Sequence, residues 1–160
     1  MAHAYQMEIE ASERYAEFAD AMATHNNTEV AELFRKLARI EHRHGEQVLE
    51  MMGWSSPPAP PRSGYRWQSA EGPETGDAGE LHYLMQPYRA LQIARHNEER
   101  ACKFFERIER EARSAKVRKA AREFAQEEVE HVRLIDEWLK RTPKPDPNWA
   151  HDPDPPMISD

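Results

Sequence analysis

Apolar residues recur along the chain at alternating steps of three and four, the spacing of a buried stripe on a packed α-helix. Four segments show this pattern, at about 2–24, 28–52, 86–112 and 115–141. Because a strand would instead alternate at every second residue, the pattern predicts an all-α protein with four helices. The second segment illustrates the spacing, with its stripe at Val30, Phe34, Leu37, Glu41, His44, Val48 and Met51.

Helix-breaking and capping residues fall between these segments. None of the twelve prolines lies inside a predicted helix beyond its first turn, and proline is strongly disfavoured in helix interiors. Thr28 and Ser114 are expected to be N-caps, because their hydroxyls can accept a hydrogen bond from the first turn. Gly53 is expected to end the second helix.

The connection between the second and third predicted helices, residues 53–85, is rich in proline and glycine and unusually long for a compact bundle. Its length suits a crossover that runs the height of a bundle, roughly 35–40 Å for helices of about 25 residues. We therefore expect one domain over residues 1–141, an antiparallel four-helix bundle that includes this crossover. Residues 142–160 are too rich in proline for a helix or a sheet and are expected to form an extended C-terminal arm.

The two halves of the pattern resemble each other. The first and third predicted helices carry a glutamate, an alanine and an aromatic residue at matching stripe positions. The second and fourth carry a Glu-x-x-His pair at matching positions. This indicates that one helical hairpin has been used twice. The matched residues are Glu8, Ala11 and Tyr15 with Glu98, Ala101 and Phe105, and Glu41 and His44 with Glu128 and His131.

Six polar residues occupy stripe positions where apolar side chains are expected: Glu8, Glu41, His44, Glu98, Glu128 and His131. Residues three apart on a helix lie about 60° apart and one turn along it, so a Glu and a His can converge on one point. Four carboxylates and two neutral imidazoles would hold two divalent cations at net zero charge, which predicts a dinuclear metal site. The alternative is that these residues face water. That is what we expect of their off-stripe neighbours Glu10, Glu13, His42, Glu99, Glu127 and Glu130.

Composition narrows the class of protein. A formal net charge of −7 argues against a general nucleic-acid binder. No run approaches the roughly 20 apolar residues of a membrane span, and the N-terminal residues lack the pattern of a secretory signal. Cys102 is the only cysteine, so the chain can form neither an internal disulfide nor a CxxC metal site. A cytoplasmic protein with no membrane partner is expected.

The stretches EIEASERYAEFA, RIEHRH, EERACKFFERI and EEVEH make residues 1–141 resemble the ferritin-like superfamily, and within it the rubrerythrin-type diiron domain. The resemblance implies an antiparallel four-helix bundle whose six stripe residues bind two iron ions. Manganese in place of one iron, or zinc, could use the same residues. The resemblance also implies that Tyr15 hydrogen-bonds a ligand carboxylate across the site.

Two features depart from rubrerythrins. Rubrerythrins usually carry a rubredoxin-like domain with four cysteines, whereas this sequence has one, so the electron donor is expected to be a separate protein. They also carry an additional glutamate one turn after the third-helix ligand, and this position is Ala101 here. The strong peroxide preference of a full rubrerythrin is therefore not expected.

The resemblance implies an oxidoreductase in which ferrous iron reduces peroxide or dioxygen, a rubrerythrin-like or ferroxidase-like role in oxidative stress. Two alternatives stay open. One is ferritin-like iron binding or storage without turnover, and the other is a bundle with zinc or an empty site that acts as an interaction module. Storage needs a closed shell of many subunits, whereas a catalyst can work as a dimer. The proline-rich connection and tail favour a small oligomer, so we expect a homodimer.

Overall fold

The computed structural model describes residues 1–59 and 86–144. Four helices account for most of them: α1 (Ala2–Thr24), α2 (Thr28–Met52), α3 (Pro87–Glu111) and α4 (Ala115–Arg141). These ranges contain no strand, and every helix end lies within one residue of its predicted position. The prediction of an all-α protein is confirmed. None of the described helices has the length and apolar character needed to cross a membrane.

Two of the three predicted helix-end signals are confirmed. The hydroxyl of Ser114 accepts a hydrogen bond from the backbone N–H of Val117 in the first turn of α4. Gly53 ends α2 in the left-handed conformation, with φ of 68°, which glycine adopts without steric cost. Pro87 is the first residue of α3, where its missing N–H has no partner to lose.

The prediction that Thr28 is an N-cap is wrong by one residue. Asn27 is the N-cap and Thr28 already belongs to α2; the Asn27 side chain makes no capping hydrogen bond. The turn from α1 explains the difference. The N–H of Asn27 is held 2.8 Å from the carbonyl oxygen of Met22, and Asn26 before it has a φ of 60°. This tight turn keeps Asn27 out of the helix and lets α2 begin directly after it.

The bundle consists of two helical hairpins, α1 with α2 and α3 with α4. Two apolar clusters fill its interior, one towards each end. The first surrounds Tyr15, Phe34, Leu91 and Ile135. The second contains Met7, Val48, Ala101, Phe105 and Phe124, among others. All six polar stripe residues lie between these clusters along their helices, so apolar packing closes both ends of the polar layer.

The order of the clusters along each helix gives the chain directions. Helices α2 and α3 both run from the first cluster to the second, whereas α1 and α4 run the opposite way. The end of α2 and the start of α3 therefore lie at opposite ends of the bundle, as a crossover connection requires. Residues 60–85, which contain most of the predicted crossover, and residues 145–160 of the predicted arm lie outside the described residues.

Gly45 allows α2 to approach α1 closely beside the polar layer. A Cβ atom built on Gly45 would lie 2.8 Å from Cδ1 of Ile9, closer than carbon atoms pack. Glycine costs about 1 kcal/mol relative to alanine in a helix. Here glycine avoids the collision with Ile9 that any side chain at position 45, directly after His44, would cause.

Candidate metal centre

All six polar stripe residues converge in the middle of the bundle. None is more than 7% exposed, and each of the four helices contributes at least one of them. Their nitrogen and oxygen atoms form two overlapping groups, in each of which one atom per residue lies within 4.8 Å of the others. Glu41 and Glu128 belong to both groups. The groups are Glu8, Glu41, His44 and Glu128, and Glu41, Glu98, Glu128 and His131.

Three carboxylates crowd one nitrogen of His131. Its Nδ1 lies 3.0 Å from Oε1 of Glu41, 3.2 Å from Oε2 of Glu98 and 3.3 Å from Oε2 of Glu128. A ring nitrogen carries at most one hydrogen, so it can donate to only one of the three at a time. The other oxygens face it without a hydrogen to share. Nitrogen and oxygen atoms whose lone pairs converge in this way are arranged to coordinate a cation placed between them.

Nδ1 of His44 has similar surroundings in the other group, which consists of Glu8, Glu41, His44 and Glu128. It lies 3.3 Å from Oε2 of Glu41 and 3.7 Å from an oxygen of both Glu8 and Glu128, and makes no hydrogen bond. The two imidazole rings stack across the centre, with centroids 5.7 Å apart and planes 9° from parallel. Each hairpin thus presents one imidazole nitrogen to the shared carboxylates of Glu41 and Glu128.

Unsatisfied polar atoms test whether these residues suit a metal. Five buried side-chain atoms among the described residues have no hydrogen bond: Glu8 Oε1, Glu41 Oε1, His44 Nδ1 and both carboxylate oxygens of Glu128. For Glu41 Oε1, the nearby nitrogen of His131 does not supply hydrogen-bond geometry. Each such atom costs about 1–3 kcal/mol when left unpaired. Carboxylate oxygen with imidazole nitrogen is a donor set that suits iron, manganese and zinc, so the residues fit a pair of divalent ions.

The histidines hold protons tightly when no metal is present. Burial works against a charge on His44, but the nearby carboxylates of Glu41 and Glu8 outweigh it and raise its pKa to about 10. Burial likewise opposes a charge on His131, and contacts with Glu128 and Glu41 outweigh it, so its pKa is raised as well. Both imidazoles are therefore cationic at neutral pH in the metal-free protein.

The carboxyl groups of Glu8, Glu41 and Glu128 divide into two kinds by the direction of their pKa shifts. Burial would raise the pKa of Glu41, but close contacts with the imidazoles of His131 and His44 overcome it and lower the pKa to about 2. The pKa values of Glu8 and Glu128 are raised, chiefly by burial, and the charge of Glu41 adds to this effect. In the metal-free centre, protons on two imidazoles and two carboxyls carry the positive charge that two divalent cations would carry.

Tyr15 contacts the centre through Glu98. Its hydroxyl is fully buried and donates a hydrogen bond to Oε1 of Glu98. Burial, followed by the charge of Glu98, raises the pKa of Tyr15, so the phenol keeps the proton that it donates. Its ring packs 5.8 Å from that of Phe34, which fixes the direction of the hydroxyl.

Glu127 is the site residue that the stripe pattern misses. Its off-stripe position predicts a side chain in contact with water, and this side chain is 51% exposed, but its Oε2 lies 2.6 Å from Nε2 of His44. A ligating histidine commonly donates its second ring N–H to a carboxylate, and the adjacent pair Glu127–Glu128 could have indicated this. Several other off-stripe residues make local pairs near the surface, including Gln6 with Glu10, His42 with Glu46, Arg95 with Glu99 and Arg133 with Glu130.

Comparison with known proteins agrees with this architecture. The rubrerythrin family model matches residues 1–59, the segment that contains Glu8, Tyr15, Glu41 and His44. No curated protein matches the chain. A crystal structure of an uncharacterized conserved protein from Magnetospirillum magnetotacticum MS-1 is 37% identical and superimposes with a TM-score of 0.77. The match covers 91% of this chain and 94% of that one. The chain therefore belongs to the rubrerythrin-type family of ferritin-like proteins.

Proposed function

We propose that this protein is a non-haem dinuclear iron oxidoreductase that reduces peroxide or dioxygen with electrons from ferrous iron. The observation that carries the proposal is the buried centre, in which four carboxylates and two imidazoles converge while five of their polar atoms have no hydrogen bond. Glu8, Glu41, His44, Glu98, Glu128 and His131 would hold the two ions. A ferrous pair held there would supply the two electrons that, together with two protons from solvent, convert one hydrogen peroxide into two water molecules.

The protein's own contribution would be to orient the ligands and limit access of water. The apolar clusters at both ends of the polar layer exclude solvent along the bundle axis. Tyr15 holds Glu98 in place. His131, at 7% exposure, is the least buried of the six residues, which makes its side of the centre the most accessible to a small oxidant.

The electrons that restore the ferrous state would come from a separate protein. A rubredoxin-type iron site requires four cysteine thiolates. Cys102 is the only cysteine in this sequence, and it lies on α3, where its Sγ contacts Glu106 and the carbonyl oxygen of Ala125. We further propose a cytoplasmic homodimer that acts in defence against oxidants.

Metal analysis followed by a single-turnover reaction tests the proposal. Protein purified without added metal and then loaded anaerobically with ferrous iron should contain about two iron ions per chain. Rapid mixing with hydrogen peroxide or with dioxygen should then produce the absorbance of ferric iron in a single turnover. The variant Glu128→Gln should lose metal and reactivity, whereas the surface variant Glu130→Gln should retain both.

The alternatives would give different results. Iron uptake that continues far beyond two ions per chain in a large closed assembly would support storage. Zinc as the bound metal, with no reaction after ferrous loading, would support an interaction module. Only traces of metal after loading would contradict the dinuclear centre itself.

A further inference from the structure

We propose that Glu127 positions His44, and that the two metal positions consequently differ in affinity, with the position at His44 binding more tightly than the position at His131. This inference rests on the proposed function, because it concerns the same metal centre. The inference rests on the hydrogen-bond partners of those ligand atoms that face away from the centre. These partners differ between the two halves of the bundle.

The first step of the argument is the contact of Glu127 with His44. The His44 side chain is 2% exposed, and its Nε2 lies 2.6 Å from Oε2 of Glu127. When Nε2–H donates to this carboxylate, the lone pair is left on Nδ1, the nitrogen that faces Glu8, Glu41 and Glu128. A negatively charged acceptor also increases the electron density on Nδ1. The imidazole is therefore held in the orientation and tautomer that bind a cation.

Among the described residues, the other half of the bundle has no equivalent contact. The internal repeat aligns Glu128 with Glu41, so the counterpart of Glu127 is Ile40, which cannot accept a hydrogen bond. Within residues 1–59 and 86–144, no side chain hydrogen-bonds Nε2 of His131. The tautomer of His131 is thus held only by the carboxylates of the centre itself.

Glu8 and Glu98 each belong to only one of the two groups, and their carboxylates also favour tighter binding at the position of His44. Among the described residues, Oε1 of Glu8 has no hydrogen-bond partner, so this oxygen is available to a cation. Oε1 of Glu98 accepts the hydrogen bond from Tyr15, which leaves mainly Oε2 for a cation. Glu41 and Glu128 belong to both positions. The difference in metal affinity is therefore set by Glu8 and His44 at one position and by Glu98 and His131 at the other.

Stepwise binding of cobalt(II), followed by calorimetry and visible absorption, tests this inference. The wild-type protein should bind cobalt in two resolved steps. Glu127→Gln should weaken the first step by about 10–100-fold, the usual effect of replacing the carboxylate partner of a ligating histidine, and leave the second within about twofold. Tyr15→Phe, which removes the hydrogen-bond partner of Glu98, should instead alter the second step and leave the first within about twofold. Glu130→Gln, an exposed residue of the same helix paired with Arg133, is the matched control and should change neither step.

A second measurement separates positioning from a structural effect. In the zinc-loaded, nitrogen-15-labelled protein, the His44 Nε2–H should exchange slowly with water, and this protection should disappear in Glu127→Ala, which has no acceptor at this position. The metal-free variants should still unfold in one cooperative transition, with some loss of stability because Nε2–H of the buried His44 loses its carboxylate partner. The inference is overturned if Glu127→Gln leaves both steps unchanged, or weakens only the second, while the wild type still binds two ions. A wild type that binds no cobalt would overturn the proposed function as well.

Discussion

The imidazole rings of His44 and His131 stack at the centre of the bundle, with their centroids 5.7 Å apart and their planes 9° from parallel. The pKa values of both rings are raised, so in the metal-free protein two cations face each other in a buried place. The carboxylates around them make this possible, above all that of Glu41, which lies within 3.3 Å of a nitrogen of each ring. A metal ion that enters the centre must displace these protons.

Metal loading should therefore release protons. Because His44, His131, Glu8 and Glu128 all have raised pKa values, adding two equivalents of zinc at neutral pH should release about two to four protons per chain. A pH indicator in weakly buffered solution measures the release. His42→Asn, which changes an exposed histidine of the same helix, should behave like the wild type. Zinc binding without any release would show that the metal-free centre is not protonated.

The stability of the metal-free protein should fall as the pH rises from about 6.5 to about 10. The folded protein raises the pKa of His44 from 6.5 to about 10, so the stabilisation is fully present below 6.5 and is lost as the pH rises through about 10. Each such group changes the free energy of unfolding by up to about 1.4 kcal/mol per pH unit within its window. The raised pKa values of Glu8 and Glu128 act in the same direction.

Thermal melting of chelator-treated protein across this range measures the effect.

At acidic pH the dependence of stability on pH has the opposite sign. The pKa of Glu41 is lowered from 4.5 to about 2, so its contribution to stability is present above 4.5 and is lost as the pH falls through about 2. Saturating zinc should oppose the loss of stability at high pH, because deprotonated ligands bind metal more tightly. A melting temperature of the metal-free protein that stays constant between pH 6.5 and 10 would contradict the assigned protonation.

Glu41 and Glu128 should respond differently to replacement by glutamine. Glu41 is ionised and lies between two cationic imidazoles, so Glu41→Gln leaves buried charges without their partner. Loss of one partner of a buried ion pair typically costs about 3–5 kcal/mol. Glu128 has a raised pKa, and neither of its oxygens has a hydrogen bond, so Glu128→Gln should change the metal-free stability by less than about 1 kcal/mol.

Denaturant unfolding with and without zinc checks this pair of variants, each serving as the control for the other. Both should lose most of the stabilisation that metal gives the wild type, which is about 4 kcal/mol at a thousandfold excess over the dissociation constant. Equal destabilisation of the two metal-free variants would mean that the two carboxyls carry the same charge, contrary to the geometry around Glu41.

A glutamate at position 101 should alter the choice of oxidant. Ala101 lies one turn after Glu98 on α3 and is 8% exposed, at the position where rubrerythrins carry an additional carboxylate. Without that carboxylate, the ferrous protein should react with both hydrogen peroxide and dioxygen. Ala101→Glu should raise the ratio of the peroxide rate to the dioxygen rate in stopped-flow measurements.

The same variant needs a control for packing. Ala101 belongs to the apolar cluster with Phe105 and Phe124, so a larger side chain there can perturb the bundle. Ala101→Gln has nearly the same size without the charge and should leave the rate ratio unchanged. A wild type that already prefers peroxide by orders of magnitude would show that residue 101 does not set the choice of oxidant.

The sequence by itself determined the four helices and the six residues of the centre. Helix positions follow from local information, namely a stripe of apolar residues every three or four positions and breakers between the stripes. The six polar residues interrupt that stripe, so they had to lie on buried faces, and all six do. Tyr15 was placed by resemblance, and its contact with Glu98 agrees with it.

Only the tertiary structure decided how these six residues divide into two overlapping groups, and which residues outside the groups contact them. The stripe shows which face of a helix is buried, but it does not give the rotation and distance between helices that are far apart in the sequence. Those determine that Glu41 and Glu128 are shared between the two groups, and that Glu127 reaches His44 across a sequence separation of 83 residues. Glu127 lies at the rim of the buried face, where the polarity of one side chain does not show whether it contacts water or the neighbouring helix.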